Sequence, residues 1–177
     1  MMGTCLITFG MDFSTAGSTR AYLYFIGWLF AVHVTGAHFN PATTLAVFLH
    51  EKRYKEHTKM LIVYWVAQLC GAYLGVLFAF YIYEDGRAPL VIYPSASGNY
   101  YNDDRNYFGK VIALEAILAG IFTSVFLLLK KKMSFQGIDD IIKGIALLFV
   151  LEGCYAIGFG ESGATNSLFN PAIAIAQ

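Results

Sequence analysis

Apolar residues in this chain fall in long blocks broken by short polar stretches, rather than in the strict alternation of a half-buried strand. Met60–Tyr83, Val111–Leu129 and Ile141–Phe159 are each long enough, or nearly so, to cross a hydrocarbon core that needs about 20 residues. Ala21–Gly36 is a shorter fourth candidate. Read in order, Met1–Gly10 is the end of a first helix, Met11–Thr19 a polar turn, and Arg20–Gly36 a second helix that stops at its glycine. Asn40–Leu49 is apolar but would be only about 15 Å long as a helix, half a span. Glu51–Lys59 reads as a charged loop. Met60–Tyr83 is a third helix, with Gly71 and Gly75 at the spacing that lets two membrane helices approach closely. A polar connector, Glu84–Tyr107, leads to a fourth helix, Phe108–Leu129. A basic loop, Lys130–Asp140, precedes a fifth helix, Ile141–Phe159. Gly160–Phe169 is a loop, and Asn170–Gln177 begins one more helix.

Composition turns this pattern into a class. The chain is 57% hydrophobic and 14% charged, with mean hydropathy +0.55, where soluble domains carry about 25% charged residues. The expectation is an all-α, multi-pass membrane protein, in a membrane the sequence does not name. A formal net charge of zero gives no bulk attraction for nucleic acid. Cys5, Cys70 and Cys154 all lie in apolar segments at no metal-ligand spacing, so they read as small core residues. Met1–Gly10 is too short to span a bilayer and has no basic leader or cleavage site. Gln177 comes seven residues after Asn170. The expectation is a sequence incomplete at both ends, lacking a full first helix and a sixth spanning helix.

Charge placement decides the topology of the half-length segment. Lys52, Arg53, Lys55 and Lys59 in one loop, and Lys130, Lys131, Lys132 and Lys143 around another, are eight of the twelve Lys and Arg. They share one side only if Asn40–Leu49 enters the membrane and returns. That side is then the cytoplasmic one, or its organellar equivalent. Arg20, Arg87, Arg105 and Lys110 remain on the other.

The tetrapeptide Phe-Asn-Pro-Ala occurs twice, at Phe39–Ala42 and at Phe169–Ala172, and each copy opens a short apolar run. A helix that starts inside a membrane has amide N–H groups with no water to bond. Asn40 and Asn170 supply favoured N-caps, and Pro41 and Pro171 fit the first helical position. An Asn whose carbonyl oxygen is held by backbone amides keeps an NH2 to donate. Two such helices meeting end to end aim both amides, and both positive dipole ends, at one point. A neutral solute there accepts two hydrogen bonds, while a cation or hydrated proton is repelled.

These residues resemble the aquaporin family, also called major intrinsic proteins. The resemblance covers nearly all of the chain. It is carried by His33-Val34-Thr35-Gly36-Ala37-His38-Phe39-Asn40-Pro41-Ala42 with Thr44, by Gly3-Thr4 and Phe9-Gly10, by Tyr64 to Gly71 with Gln68, by Glu115, and by Thr165-Asn166-Ser167-Leu168-Phe169-Asn170-Pro171-Ala172. It implies one domain over 1–177: an inverted-repeat helical bundle with two re-entrant half-helices. The first half-repeat is about 1–83, the connector 84–107, and the second half-repeat about 108–177, incomplete. It further implies six spanning helices and a homotetramer with one pore per subunit. His33, His38, Gln68 and Glu115 are then expected to support the pore loops, His38 also lining the pore.

Counting from the two asparagines places the family's selectivity filter at Arg20, Gly158, Ser167 and Ile173. Ile173 stands where the family carries an arginine, and Arg20 where it usually carries an aromatic. Loss of the arginine removes a fixed cation and a forked donor. One expectation is that Arg20 returns a cation to the filter; the alternative is that it snorkels to the membrane surface. Gly158 resembles glycerol-conducting members, but Ala174 stands where they often carry an Asp. Glu152 lies inside a span, where an acid needs a partner, and has no counterpart in the family pattern; a loop, a water pocket or a partner helix would each serve. No nucleophile elbow, phosphate loop, metal motif or redox Cys pair is present, so neither an enzyme nor a cofactor or metal is expected. The leading function is a passive channel for water, and for glycerol or similar neutral solutes. The competing one is a degenerate, structural subunit of a larger membrane complex, bound to other membrane subunits and transporting little or nothing.

Overall fold

A computed structural model of the chain describes residues 1–13, 17–82, 107–130, 139–158 and 168–176. The described residues form α1 (Met2–Phe13), α2 (Gly17–Thr35), α3 (Pro41–Glu51), α4 (Tyr54–Ile82), α5 (Tyr107–Lys130), α6 (Asp140–Gly158) and α7 (Pro171–Ala176). Residues 84–106 of the connector, 131–138 of the basic loop and 160–167 of the loop before the second tetrapeptide lie outside the described residues. Among the described residues three stretches, Tyr54–Ile82, Ile112–Lys130 and Asp140–Gly158, are long and apolar enough to cross a membrane.

Two local expectations are corrected. The helix of Met1–Gly10 runs on through Met11–Phe13 instead of giving way to a polar turn. The charged loop shrinks to Lys52 and Arg53, because α4 begins at Tyr54 and already contains Lys55, Glu56, His57 and Lys59. Lys, Glu and His at a span's end remain helical while their charges reach water, so a charged stretch there is not by itself a loop. Lys52 closes α3 in the left-handed conformation (φ 55).

Contacts between helix ends fix the topology. The end of α2 lies against the starts of α4 and α6: Tyr64 Oη donates to Thr35 O (2.9 Å), and Trp28 Nε1 to Asp140 O (2.8 Å). Lys130, the last residue of α5, reaches His38 in the loop after α2. Glu51 at the end of α3 pairs with His57 near the start of α4 (2.9 Å). Thus α3 starts in the bundle interior and ends at the face from which it came. It is re-entrant, and the described basic residues Lys52, Arg53, Lys55, Lys59, Lys130 and Lys143 share that face.

Small residues set the close crossings. A Cβ on Gly71 would lie 2.3 Å from Met1 O, and one on Gly75 2.6 Å from Cys5 O, so α4 packs backbone to backbone on α1. Across the bundle, Gly144 of α6 admits the indole of Trp28. The interior is filled by Tyr24, Trp28, Phe39, Phe122, Phe126, Leu147 and Leu151, while much of the apolar surface of α2, α4, α5 and α6 faces outward. A bilayer rather than water suits that outer surface.

Candidate functional site

The two Phe-Asn-Pro-Ala segments meet in the bundle interior. Asn40 caps α3: its Oδ1 accepts from Ala42 N (2.8 Å), and Pro41 occupies the first helical position. Asn170 does the same for α7, accepting from Ala172 N at 3.2 Å. Each side-chain amide then reaches across. Asn40 Nδ2 donates to Phe169 O (2.8 Å), and Asn170 Nδ2 to Phe39 O (3.1 Å). The pair is a reciprocal latch with one N–H of each NH2 group spent on it, leaving the second N–H for a solute. Both asparagines are buried, at 4% and 7% exposure.

Beside them lies a cavity of about 20 Å³, room for about one water molecule. Asn40, Asn170, Tyr24 and Tyr155 line it together with Ile7, Phe122, Leu151 and Ile173. The arrangement has approximate two-fold character. Tyr24 of α2 packs edge-on to Phe39 (5.3 Å), and Tyr155 of α6 packs on Phe169 (4.9 Å).

The surrounding helices hold the loops by different chemistry. Gln68 of α4 donates to His38 O (2.6 Å) and to Thr44 Oγ1 (2.8 Å). Thr4 of α1 donates to Phe39 O, and Trp65 to Pro41 O. The Phe39 ring fills a slot between Gly3 and Gly27. The second loop is instead held by Glu115 of α5, whose carboxylate accepts from Leu168 N and Phe169 N.

An inverted pair of capped half-helices, their asparagines latched at the centre of a membrane bundle, is the architecture that the sequence resemblance implied. The sequence model described as Major intrinsic protein matches residues 8–177. The chain belongs to the major intrinsic protein family. No curated protein sequence matches it. As a major intrinsic protein it is an integral, multi-pass membrane protein of a family of channels for water or small solutes.

The residues counted to the filter are only partly brought together. Arg20 does not snorkel to the surface: it is 2% exposed, with its guanidinium carbon 5.5 Å from the centre of the Tyr155 ring. Gly158 is buried at the end of α6. Ile173 is 2% exposed and belongs to the wall of the asparagine cavity. Ser167 lies outside the described residues. His33 is not brought to the loop. Its side chain is 75% exposed and faces Asp140 at 3.7 Å, because a residue seven before Asn40 on the last turns of α2 falls on the outer face. His38 is in place, its ring against Tyr64 and Phe126.

Glu152 has a partner helix. Ser18 Oγ of α2 donates to Glu152 Oε1 at 2.6 Å. Among the described residues its Oε2, also buried, has no hydrogen-bond partner. Sequence reasoning missed Tyr24, Tyr155 and Thr4. The spacing of Tyr24 and Tyr155 from their asparagines, 16 and 15 residues, was a usable signal.

Proposed function

We propose that the chain is a passive pore for water and for small neutral solutes of the glycerol class, with the path running between Asn40 and Asn170. The observation that carries this is the juxtaposition of both asparagine amides with a cavity sized for one water. Arg20, buried over Tyr155, supplies a cation on the side away from the basic face, in place of the arginine that Ile173 replaces. Gly158, buried at the end of α6, adds no side chain on that side, which supports passage of a solute larger than water. Gln68, Glu115 and His38 position the loops. The resemblance carries with it a homotetramer in the bilayer, and a transport protein rather than an enzyme.

A second reading is favoured by one observation. Each asparagine amide already has a structural task in the cross-loop latch, so a chain that conducts nothing would still need both. In that reading the protein is a structural subunit held among other membrane subunits. Vesicles containing the purified protein decide between them. The pore reading expects rapid shrinkage in a sucrose gradient and equilibration of glycerol; shrinkage at the rate of bare lipid favours the structural subunit. Arg20→Ala tests the filter assignment, which expects a raised cation leak. An unchanged leak and unchanged water flux would remove Arg20 from the filter.

A further inference from the structure

A cavity of about 300 Å³ at the basic face is lined by His38, Thr44, Glu51, His57, Tyr64 and Lys130 among others. Of its lining residues, Thr44 donates to Asn40 O (3.1 Å) and His38 is two residues before Asn40. Lys130 is exposed at the end of α5, yet its side chain turns toward the pore loop. Its Nζ lies 2.9 Å from His38 Nε2, and a Cβ on Gly36 would meet that same Nζ at 3.4 Å. The last carbonyls of α5 favour a cation there, but helix-end electrostatics alone does not explain a side chain turned onto the pore loop.

The contact fixes the chemistry of both partners. An ammonium only donates, so Nε2 of His38 accepts, and the ring is neutral with its proton on Nδ1. Among the described residues that Nδ1 has no partner, which leaves it as a donor for a water or hydroxyl oxygen. The positive charge therefore sits on Lys130. Glu51 acts on it electrostatically, but the Glu51 carboxylate is engaged by His57 at 2.9 Å.

We propose that Lys130 is a specificity-determining residue: a fixed cation at the cytoplasmic mouth that, with Arg20 beyond the asparagines, bars cations from both ends of the path. This rests on the channel reading above. Neutral solutes pass an ammonium held on His38; a hydrated cation meets a like charge at the mouth it must enter. At about 6 Å and an effective dielectric of about 20, that repulsion is a discrimination of about a hundredfold.

Of two barriers in series the higher sets the leak, and Arg20, 2% exposed, hides the lesser barrier at Lys130, so the test is made without Arg20. The full chain is reconstituted in vesicles as wild type, Arg20→Met, Arg20→Met with Lys130→Met, and Arg20→Met with Lys130→Arg. Sodium leak is measured and divided by the water permeability of the same vesicles. The proposal expects the Lys130→Met combination to leak about tenfold or more above Arg20→Met alone, and the Lys130→Arg combination to match Arg20→Met. Equal leak in the Lys130→Met combination and Arg20→Met overturns it. So does a Lys130→Arg combination as leaky as the Lys130→Met one, since charge would not be the cause. Lys130→Gln replaces Lys130→Met if thermal unfolding in detergent shows that variant misfolded. A wild type no more permeable to water than bare lipid defeats the channel reading, and Lys130's role with it, before any variant is compared.

Discussion

The two pore loops carry the same tetrapeptide and make the same asparagine latch, yet they are held by opposite halves of the hydrogen bond. The first loop is held by its carbonyls: His38 O, Phe39 O and Pro41 O accept from Gln68, Thr4 and Trp65. The second is held by its amides: Leu168 N and Phe169 N donate to one carboxylate, Glu115. Several neutral donors on two helices share the first task, and a single charged acceptor performs the second. Support in the first loop is therefore distributed and tolerant. Support in the second is concentrated in one residue.

That contrast orders the expected effects of substitution. Glu115→Ala strips two interior amides of their acceptor and should cost about 3 kcal/mol or more, read as lowered thermal stability in detergent with loss of water flux. Glu115→Gln keeps one acceptor oxygen and should recover about half of that loss. Gly75→Leu attacks the first half from behind, by forcing α1 off α4. Overpacking at a contact of 2.6 Å should cost about 2–3 kcal/mol, while leaving the Glu115 contacts of the second loop intact. Gln68→Leu removes two donors from the first loop, but Thr4, Trp65 and the latch remain; about 1–2 kcal/mol is expected, clearly less than for Glu115→Ala. If Gln68→Leu proves as damaging as Glu115→Ala, the contrast between distributed and concentrated support is wrong. Trp28→Phe loses one hydrogen bond to Asp140 O, remote from both loops, and should cost about 1 kcal/mol with little change in flux.

The elements best read from sequence are those whose signal is local. Long apolar blocks gave α4, α5 and α6 to within a few residues, apart from the charged first turns of α4. The tetrapeptides gave both half-helix starts, because Asn caps and Pro at the first position act within one turn. Lys55 to Lys59 misled because charge at a span's end and charge in a loop look alike along the chain. His33 misled because distance from Asn40 says nothing about which helix face a residue occupies. The pairing of Ser18 with Glu152 spans 134 residues, and that of Lys130 with His38 spans 92; no local pattern encodes either. The cross-loop latch was half legible. The spare NH2 of each asparagine was expected, but its use on the opposite loop's carbonyl follows only from the two loops meeting.

The central claim is that solutes pass between Asn40 and Asn170. Stopped-flow water permeability of vesicles holding the wild type or Ile173→Trp tests it most directly, since an indole at position 173 would fill the cavity of about 20 Å³ beside both asparagines. The account predicts wild-type flux well above that of bare lipid, and Ile173→Trp flux reduced to the lipid background while the folded variant remains in the membrane. Wild-type flux equal to bare lipid, or an Ile173→Trp variant that conducts like the wild type, would contradict it.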